Sequence, residues 1–194
     1  MAEIVAETER LILRDWQEGD RDAFFAIMNT PAVMEHLGGV QTPEQWAAAF
    51  DRLHSYQRDD GHTFWIVTRK DEGTILGFCG LKRANAPGAR FQGDMEIGWR
   101  LREDAWGQGF ATEAATASLD LAFGRFAAPH VVAMTARGNL PSQAVMKRLG
   151  MIRREELDYI DVRFPVESEI NPQIVWSIDA ADWARCGPGP FQQS

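Results

Sequence analysis

The sequence contains few cysteines: only Cys79 and Cys186 occur among 194 residues, and they lie far apart. Two distant cysteines support neither a disulfide framework nor a structural zinc site. Cys79 stands in an apolar run typical of a strand, so we expect a small core residue there. The four histidines show no metal-ligand spacing either, and the sequence predicts no metal.

Long apolar runs are also lacking. No stretch approaches the roughly 20 apolar residues that a membrane-spanning helix needs, and the N-terminus has no basic-then-apolar export signal. We therefore expect a cytoplasmic protein without a membrane partner.

Basic residues are in deficit, with 20 Lys and Arg against 28 Asp and Glu and a net charge of −8. A nucleic-acid surface needs clustered Lys and Arg, so we expect no nucleic-acid partner. An acidic surface would attract a cationic amine, although many soluble proteins carry such a charge for solubility alone.

The length and the absence of repeats predict a single mixed α/β domain over residues 1–183, followed by a flexible tail over residues 184–194. A helix is expected from Asp20 to Asn29, where Pro31 ends it. Thr42-Pro43-Glu44-Gln45 is a capping box that starts a second helix. The predicted strands are 9–16, 63–69 and 74–82 (a hairpin), 94–101, 130–136, 151–159 and 174–178.

The most informative stretch joins a strand to a long helix. Glu96-Ile97-Gly98-Trp99-Arg100-Leu101 has the pattern of a strand, and Gly98 marks a point where that strand can bulge or open. Trp106-Gly107-Gln108-Gly109-Phe110-Ala111-Thr112-Glu113 then opens a helix predicted over residues 108–126. The first N–H groups of a helix have no partner and lie at the positive end of its dipole, so this junction predicts a phosphate site.

Three ligands compete for this site, beside the plain alternative of a turn that only packs a helix on a sheet. A dinucleotide fold requires glycine where Thr112 stands, and a nucleoside triphosphate loop requires Gly-Lys-Ser/Thr, which the chain lacks. The third ligand is the diphosphate of coenzyme A.

The junction resembles the central motif of the Gcn5-related N-acetyltransferases (GNAT), Q/R-x-x-G-x-G/A. Gly109 and Ala111 match it, whereas Trp106 replaces the usual Arg or Gln. The fuller string WGQGFATEA is similar to the RimJ/RimL-like branch, typified by ribosomal-protein N-terminal acetyltransferases. The run from Asn139 through Ser142 to Leu-Gly-Met resembles the second cofactor motif of the family.

This resemblance implies a GNAT-like fold of the α/β (α+β) class. Its central sheet is mixed and mostly antiparallel, has six or seven strands, is splayed at the central strand and is flanked by about four helices. The implied cosubstrate is acetyl-CoA, with its pantetheine arm along the main chain of Trp99 and Leu101 and one of its amides on Asn139, whose alternative role is helix capping. The diphosphate is expected on the main-chain N–H groups of Gly107, Gln108, Gly109, Phe110, Ala111 and Thr112.

Two side chains are predicted to be catalytic. Glu96 is the expected base that takes a proton from the amine; its alternative is a structural acid that pairs with Arg100 or caps a loop, and Asp94 on the same face is the reserve. Ser142 is expected to protonate the leaving thiolate, with an ordinary first-turn serine as the alternative. Related enzymes use a Tyr in this motif, but Met146 stands at that position here.

The sequence thus predicts an acyltransferase that moves an acetyl group from acetyl-CoA to a primary amine by direct attack on the thioester. The acceptor is a protein N-terminus or an amine-bearing small molecule, and residues 158–172 are expected to shape its site. Trp46 is expected in the core rather than on the substrate, and a homodimer is one option. The alternative function is a non-catalytic acyl-CoA-binding module with the same fold.

Overall fold

The computed structural model of the protein describes residues 2–186. The strands are β1 (Ile4–Glu7), β2 (Leu11–Arg14), β3 (Phe64–Arg69), β4 (Ile75–Arg83), β5 (Met95–Leu101), β6 (His130–Ala136), β7 (Ile152–Arg153) and β8 (Gln173–Asp179). The α-helices are α1 (Asp20–Met28), α2 (Pro31–Met34), α3 (Pro43–Asp60), α4 (Phe110–Gly124), α5 (Leu140–Arg148) and α6 (Ala180–Cys186). No helix in this part of the chain combines the length and apolarity that crossing a lipid bilayer requires.

The eight strands form one sheet in the order β1-β2-β3-β4-β5-β6-β8-β7. Neighbouring strands are antiparallel except β5 and β6, which run parallel. The predicted mixed, mostly antiparallel sheet is therefore confirmed. It has one strand more than predicted because the residues before Leu11 form β1, which pairs with β2.

The sheet is splayed at its centre, as the resemblance implies. β5 and β6 share only two residue pairs, Met95 with Val131 and Glu96 with Val132. β6 is paired along its whole length with β8 instead. Residues 97–101 of β5 therefore continue past the point where the two strands separate.

Two layers cover the sheet. On one face α4 packs against β2, β4 and β5 in the main core. Cys79 is fully buried there, as predicted, and burial raises the pKa of its thiol to about 12. On the other face α1 and α3 contribute Phe24 and Trp46 to a second cluster with Phe78 of β4.

The helices differ from the prediction at both ends of the chain. α1 ends at Met28, and Pro31 begins α2 rather than only following α1. Proline suits a first helical position because the N–H there has no partner. α6 continues to Cys186, and the rest of the predicted flexible tail lies outside the described residues.

Gly98 does not mark a bulge. β4 and β5 pair without a register shift, and Gly98 lies directly opposite Gly80. A Cβ at Gly98 would lie 2.8 Å from the ring of Phe64. Glycine suits this position because the ring of Phe64 lies directly on the main chain there and leaves no room for a Cβ.

Candidate active site

The turn between β5 and α4 leaves the start of α4 without a side-chain cap. Gly107 (φ 73°) and Gly109 (φ 83°) adopt the left-handed conformation that glycine favours. Gly109 is the N-cap of α4 and supplies no side chain, whereas α3 and α5 are capped by Thr42 and Asn139. The first N–H groups of α4 are thus available to an external acceptor.

Glu113 ties this turn to the N-terminal strands. Its carboxylate accepts hydrogen bonds from the Oγ1 of Thr8 (2.5 Å) and the Nε of Arg10 (2.7 Å). The guanidinium of Arg10 also donates to the carbonyl of Gln108 (3.1 Å) and lies over the ring of Phe110. An Arg10–Glu113 ion pair therefore lies beside the uncapped turn, and the partial positive charge of the helix N-terminus is what favours an anionic ligand there.

The main chain of β5 presents alternate residues to the gap that the splay opens. Arg102 N–H donates to the Leu76 carbonyl, and the Asp94 carbonyl accepts from Ala84 N–H, each at 2.8 Å. Even-numbered residues of β5 therefore direct their main-chain groups toward β4. Because a strand alternates, the odd-numbered residues direct theirs toward the gap.

Trp99 and Leu101, which were predicted to lie along the pantetheine arm, are two of these odd-numbered residues. The carbonyl of Leu101, however, accepts a hydrogen bond from the indole Nε1 of Trp106 (2.8 Å). Trp99 can therefore offer both main-chain groups to a ligand, and Leu101 only its N–H. The departure at Trp106 has a local structural role that a sequence motif alone does not reveal.

The gap and the uncapped turn together suit coenzyme A. Gly107, Gln108 and Gly109 are exposed and Ala111 and Thr112 are half-buried. A Cβ at Gly107 would meet nothing within 4 Å, so the space beside that main chain is open. A diphosphate would lie on the N–H groups of the turn, and an amide-bearing arm would pair with β5 in the gap.

Asn139 and Ser142 meet at the start of α5. The Oδ1 of Asn139 accepts from the main-chain N–H of Ser142 (3.2 Å), so the capping role of Asn139 is present. Among the described residues its Nδ2 has no acceptor and stays available to a ligand carbonyl. The half-buried Ser142 does not line the cavity that contains Glu96.

A cavity of about 350 Å³ lies on the face of the sheet opposite α4. Its floor comes from β3, β4 and β5, and its outer walls from the segments around α3 and before β8. The floor residues are Phe64, Phe78, Lys82, Glu96 and Arg100. A volume of this size is typical of sites for small molecules.

Glu96 is buried in this floor and pairs with Lys82 of β4, directly opposite it. The ammonium of Lys82 also donates to Asn85 Oδ1 (3.1 Å) and to the carbonyl of Arg83 (3.3 Å). Three acceptors satisfy the three N–H groups of a charged lysine. As a structural alternative to a catalytic role, Glu96 was expected to pair with Arg100. That partner is wrong, because Glu96 pairs with Lys82.

One oxygen of Glu96 remains usable. Oε2 accepts from Lys82, whereas no described residue donates to Oε1. Burial raises the pKa of this carboxyl, and the charge of Lys82 opposes the rise. Asp94, the reserve base, pairs with His130 (2.9 Å) and is absent from the cavity wall.

The segment that precedes β8 forms one outer wall of the cavity. It includes residues 158–172, which were expected to shape the acceptor site. Tyr159, Asp161 and Phe164 line the cavity. A Cβ at Gly38 would lie 2.5 Å from Phe164, so the two outer segments touch there. Trp46 is buried in the aromatic cluster, as predicted, but its ring also forms part of the wall.

Comparison with known proteins agrees with this geometry. The family profile described as an acetyltransferase (GNAT) domain matches residues 10–152. The Bacillus subtilis (strain 168) protein YkkB is 30% identical over 145 residues, which cover 74% of this chain and 83% of YkkB.

Solved structures are similar over almost the whole chain. An acetyltransferase from Agrobacterium tumefaciens is 25% identical with a TM-score of 0.73, over 89% of this chain and 92% of that one. A ribosomal-protein-S5-alanine acetyltransferase from Vibrio fischeri is 18% identical with a TM-score of 0.72, over 93% and 99% of the two chains. The second likeness concerns the fold alone. From the profile match and the site geometry we conclude that this chain belongs to the GNAT acetyltransferase family and is an acyltransferase.

Proposed function

We propose that this protein transfers an acetyl group from acetyl-CoA to a primary amine by direct attack of the amine on the thioester. The observation that carries the proposal is the position of Glu96. It is the last residue of β5 that pairs with β6, and its side chain enters the cavity. A carboxylate thus lies where the gap for the acyl donor meets the space for an acceptor.

The residues of the chain divide the work. The turn from Gly107 to Thr112 holds the diphosphate, and Trp99, Leu101 and Asn139 bind the amide-bearing arm. The thioester supplies the activated acetyl group. A main-chain N–H of β5 in the gap stabilises the negative charge that develops on its oxygen.

Proton transfer falls to two side chains. Glu96 accepts the proton of the ammonium through Oε1, directly or through one water, because an amine with a pKa near ~10 is mostly charged at neutral pH. Burial supports this role by making the carboxylate more basic than a solvent-exposed glutamate. Ser142 donates a proton to the departing thiolate.

The acceptor belongs to the proposal as well. The string WGQGFATEA supports membership of the RimJ/RimL-like branch, in which a protein N-terminus is the model acceptor. The cavity of about 350 Å³ favours an amine-bearing small molecule instead.

Two measurements test the proposal. Isothermal titration calorimetry should detect acetyl-CoA binding, and a free-thiol assay over a panel of amines and peptides should detect acceptor-dependent release of CoA. Absence of acetyl-CoA binding at hundreds of micromolar would refute it. In the same assay, Glu96→Gln should lower turnover without changing acetyl-CoA affinity.

A non-catalytic acyl-CoA-binding module is the second candidate. Met146 is buried in the main core where related enzymes carry a Tyr hydroxyl, so this motif offers no such acid. Acetyl-CoA binding without thiol release from any acceptor would favour this candidate.

A further inference from the structure

Arg100 is a cation without an anionic partner in the cavity floor. Its Nη1 lies 3.6 Å from the sulfur of Met34, and its Cζ lies 5.2 Å from the ring centre of Phe78. Its Nε is buried and has no hydrogen-bond partner. Within residues 2–186 no carboxylate forms an ion pair with it.

Such a group is costly to keep in a fold. Burial lowers the pKa of Arg100 to about 10, which still leaves the guanidinium charged at neutral pH. The side chain as a whole is half-buried, and its Nε is fully buried. A charge withdrawn from water in this way without a partner destabilises the folded state, and an apolar side chain of similar length would pack against Met34 and Phe78 without that cost. A bound anion would supply the missing partner.

The acidic residues of the cavity do not neutralise the charge of Arg100. Glu96 is paired with Lys82, and Asp161 is paired with Arg163. Both acidic residues that line the cavity therefore already have a cationic partner other than Arg100. Positive charge remains in the wall of a protein whose net charge is −8.

A second unpaired donor lies in the same wall. The indole Nε1 of Trp46 is buried and has no acceptor among the described residues. Trp46 stacks on Phe24, which stacks on Phe78 beneath Arg100. Two buried donors without acceptors thus adjoin one aromatic stack, as expected where a ligand supplies acceptor atoms.

The polarity of the cavity floor changes along β4 and β5, with a charged residue of β5 at each end and glycines in the middle. Glu96 faces Lys82 at one end, Gly98 faces Gly80 in the middle, and Arg100 faces Phe78 at the other end. The ring of Phe64 covers Gly98 and stacks on Phe78, so the middle of the floor is apolar. Four residues along a strand separate the Cα atoms of the two charged ends by about 13 Å.

We propose that the acceptor amine carries an anionic oxygen group, a carboxylate or a phosphate, at the far end of a short apolar chain, and that Arg100 binds this group. This inference rests on the proposed function and names its substrate class. The amino group lies beside Glu96, the apolar chain lies over Phe64, and the anion accepts hydrogen bonds from the guanidinium. The planar guanidinium suits two parallel bonds to a carboxylate or phosphate.

The test compares matched acceptors in the free-thiol assay with saturating acetyl-CoA. The series is 5-aminopentanoate, 4-aminobutylphosphonate, and two controls without an anionic group, 5-aminopentanamide and pentylamine. We expect kcat/KM to be about 10- to 100-fold higher for an acceptor with an anionic group than for the two controls without one. This is the range that charge-assisted hydrogen bonds provide. The ratio of the two anions distinguishes a carboxylate from a phosphate site.

Variants assign the effect to Arg100. Arg100→Gln should remove the preference for anions, so that the ratio of kcat/KM for 5-aminopentanoate to kcat/KM for pentylamine falls to about one. Arg100→Lys should restore part of this ratio, because the positive charge returns without the planar guanidinium. Arg58→Gln is the matched control, since Arg58 is exposed and lies outside the cavity. Arg100→Met guards against a folding defect, because we expect its Tm to be equal to or above that of the native protein.

The outcomes separate the two proposals. Equal kcat/KM for amines with and without an anionic group, or an equal loss for all acceptors in Arg100→Gln, would overturn the anion site and leave the acetyltransferase proposal intact. Absence of thiol release with every amine would count against the acetyltransferase proposal. In that case calorimetric titration of the same amines into the CoA-bound protein tests the anion site independently of catalysis. The native protein should bind 5-aminopentanoate, and Arg100→Gln should not.

Discussion

Glu96 and Lys82 face each other across β5 and β4, and their side chains form a buried ion pair in the floor of the cavity. The pair leaves Oε1 of Glu96 free toward the cavity and fixes the position of the carboxylate. A single acid is therefore both structurally anchored and chemically available.

Replacing Glu96 by Gln should lower kcat by about 10²–10⁴-fold, the range for loss of a positioned base, because the amide cannot accept a proton. The native enzyme should lose activity as the pH falls, because Glu96 must be ionised. Burial raises the pKa of this carboxyl, so the midpoint should lie above its ordinary value of 4.5. The pH profile of kcat for both forms measures this, and a Glu96→Gln profile with an unchanged acidic limb would contradict the assignment.

Replacing Lys82 by Met should destabilise the protein by about 3–5 kcal/mol, because Glu96 would remain buried without a partner. Loss of the opposing charge raises the pKa of Glu96 further. A carboxyl with a raised folded-state pKa is tolerated while protonated, so the destabilisation should grow as the pH rises from 4.5 toward the folded-state value. Urea unfolding at several pH values measures this.

The double variant Lys82→Met/Glu96→Gln provides the control. It should regain much of the lost stability, since no uncompensated charge remains. Two single-variant effects that simply add would show that the ion pair is not coupled.

Gly107→Ala should weaken acetyl-CoA binding, because the added methyl group enters the open space beside the uncapped turn. Gly73 provides a matched control: its φ of 68° is close to the 73° of Gly107, and a Cβ at either position meets nothing within 4 Å. Both variants should lose about 1–2 kcal/mol of stability from left-handed strain. Calorimetry should find weaker acetyl-CoA binding for Gly107→Ala alone, and equal affinities would remove the turn from the cofactor site.

Asn139 has two roles that substitution can separate. Asn139→Ser keeps a good cap for α5 but removes the amide donor, whereas Asn139→Ala removes both and should cost about 1 kcal/mol of stability. If Nδ2 binds the pantetheine arm, both variants should lose about 5-fold in acetyl-CoA affinity, since a hydrogen bond of this kind contributes about 1 kcal/mol. Unchanged affinity in Asn139→Ser would leave Asn139 with the capping role alone.

Local patterns were sufficient for the elements that depend on neighbouring residues. The capping box of Thr42 and Gln45 is present at the start of α3. The predicted glycine-rich turn is present at the β5–α4 junction, where both glycines adopt the left-handed conformation. Each signal lies within one turn of chain, so no tertiary information is needed to interpret it.

Partners across the sheet could not be predicted in the same way. Lys82 pairs with Glu96 only because β4 and β5 adopt one particular register, which the sequence pattern does not determine. The unpaired state of Arg100 depends on the placement of every acidic residue in three dimensions. The aromatic ring over Gly98 likewise requires β3, β4 and β5 to be assembled together.

The short parallel pairing of β5 with β6, the seam at the centre of the sheet, affects how stable the protein is against proteolysis. Only two residue pairs join β5 to β6, so the two halves of the sheet have little main-chain connection where they diverge. An amide-bearing arm in the gap would complete the seam as an additional strand. Binding to the native state alone stabilises a protein in proportion to the logarithm of ligand concentration. Resistance to proteolysis should therefore follow the supply of acyl donor, and a starved cell would hold this protein in its most vulnerable form.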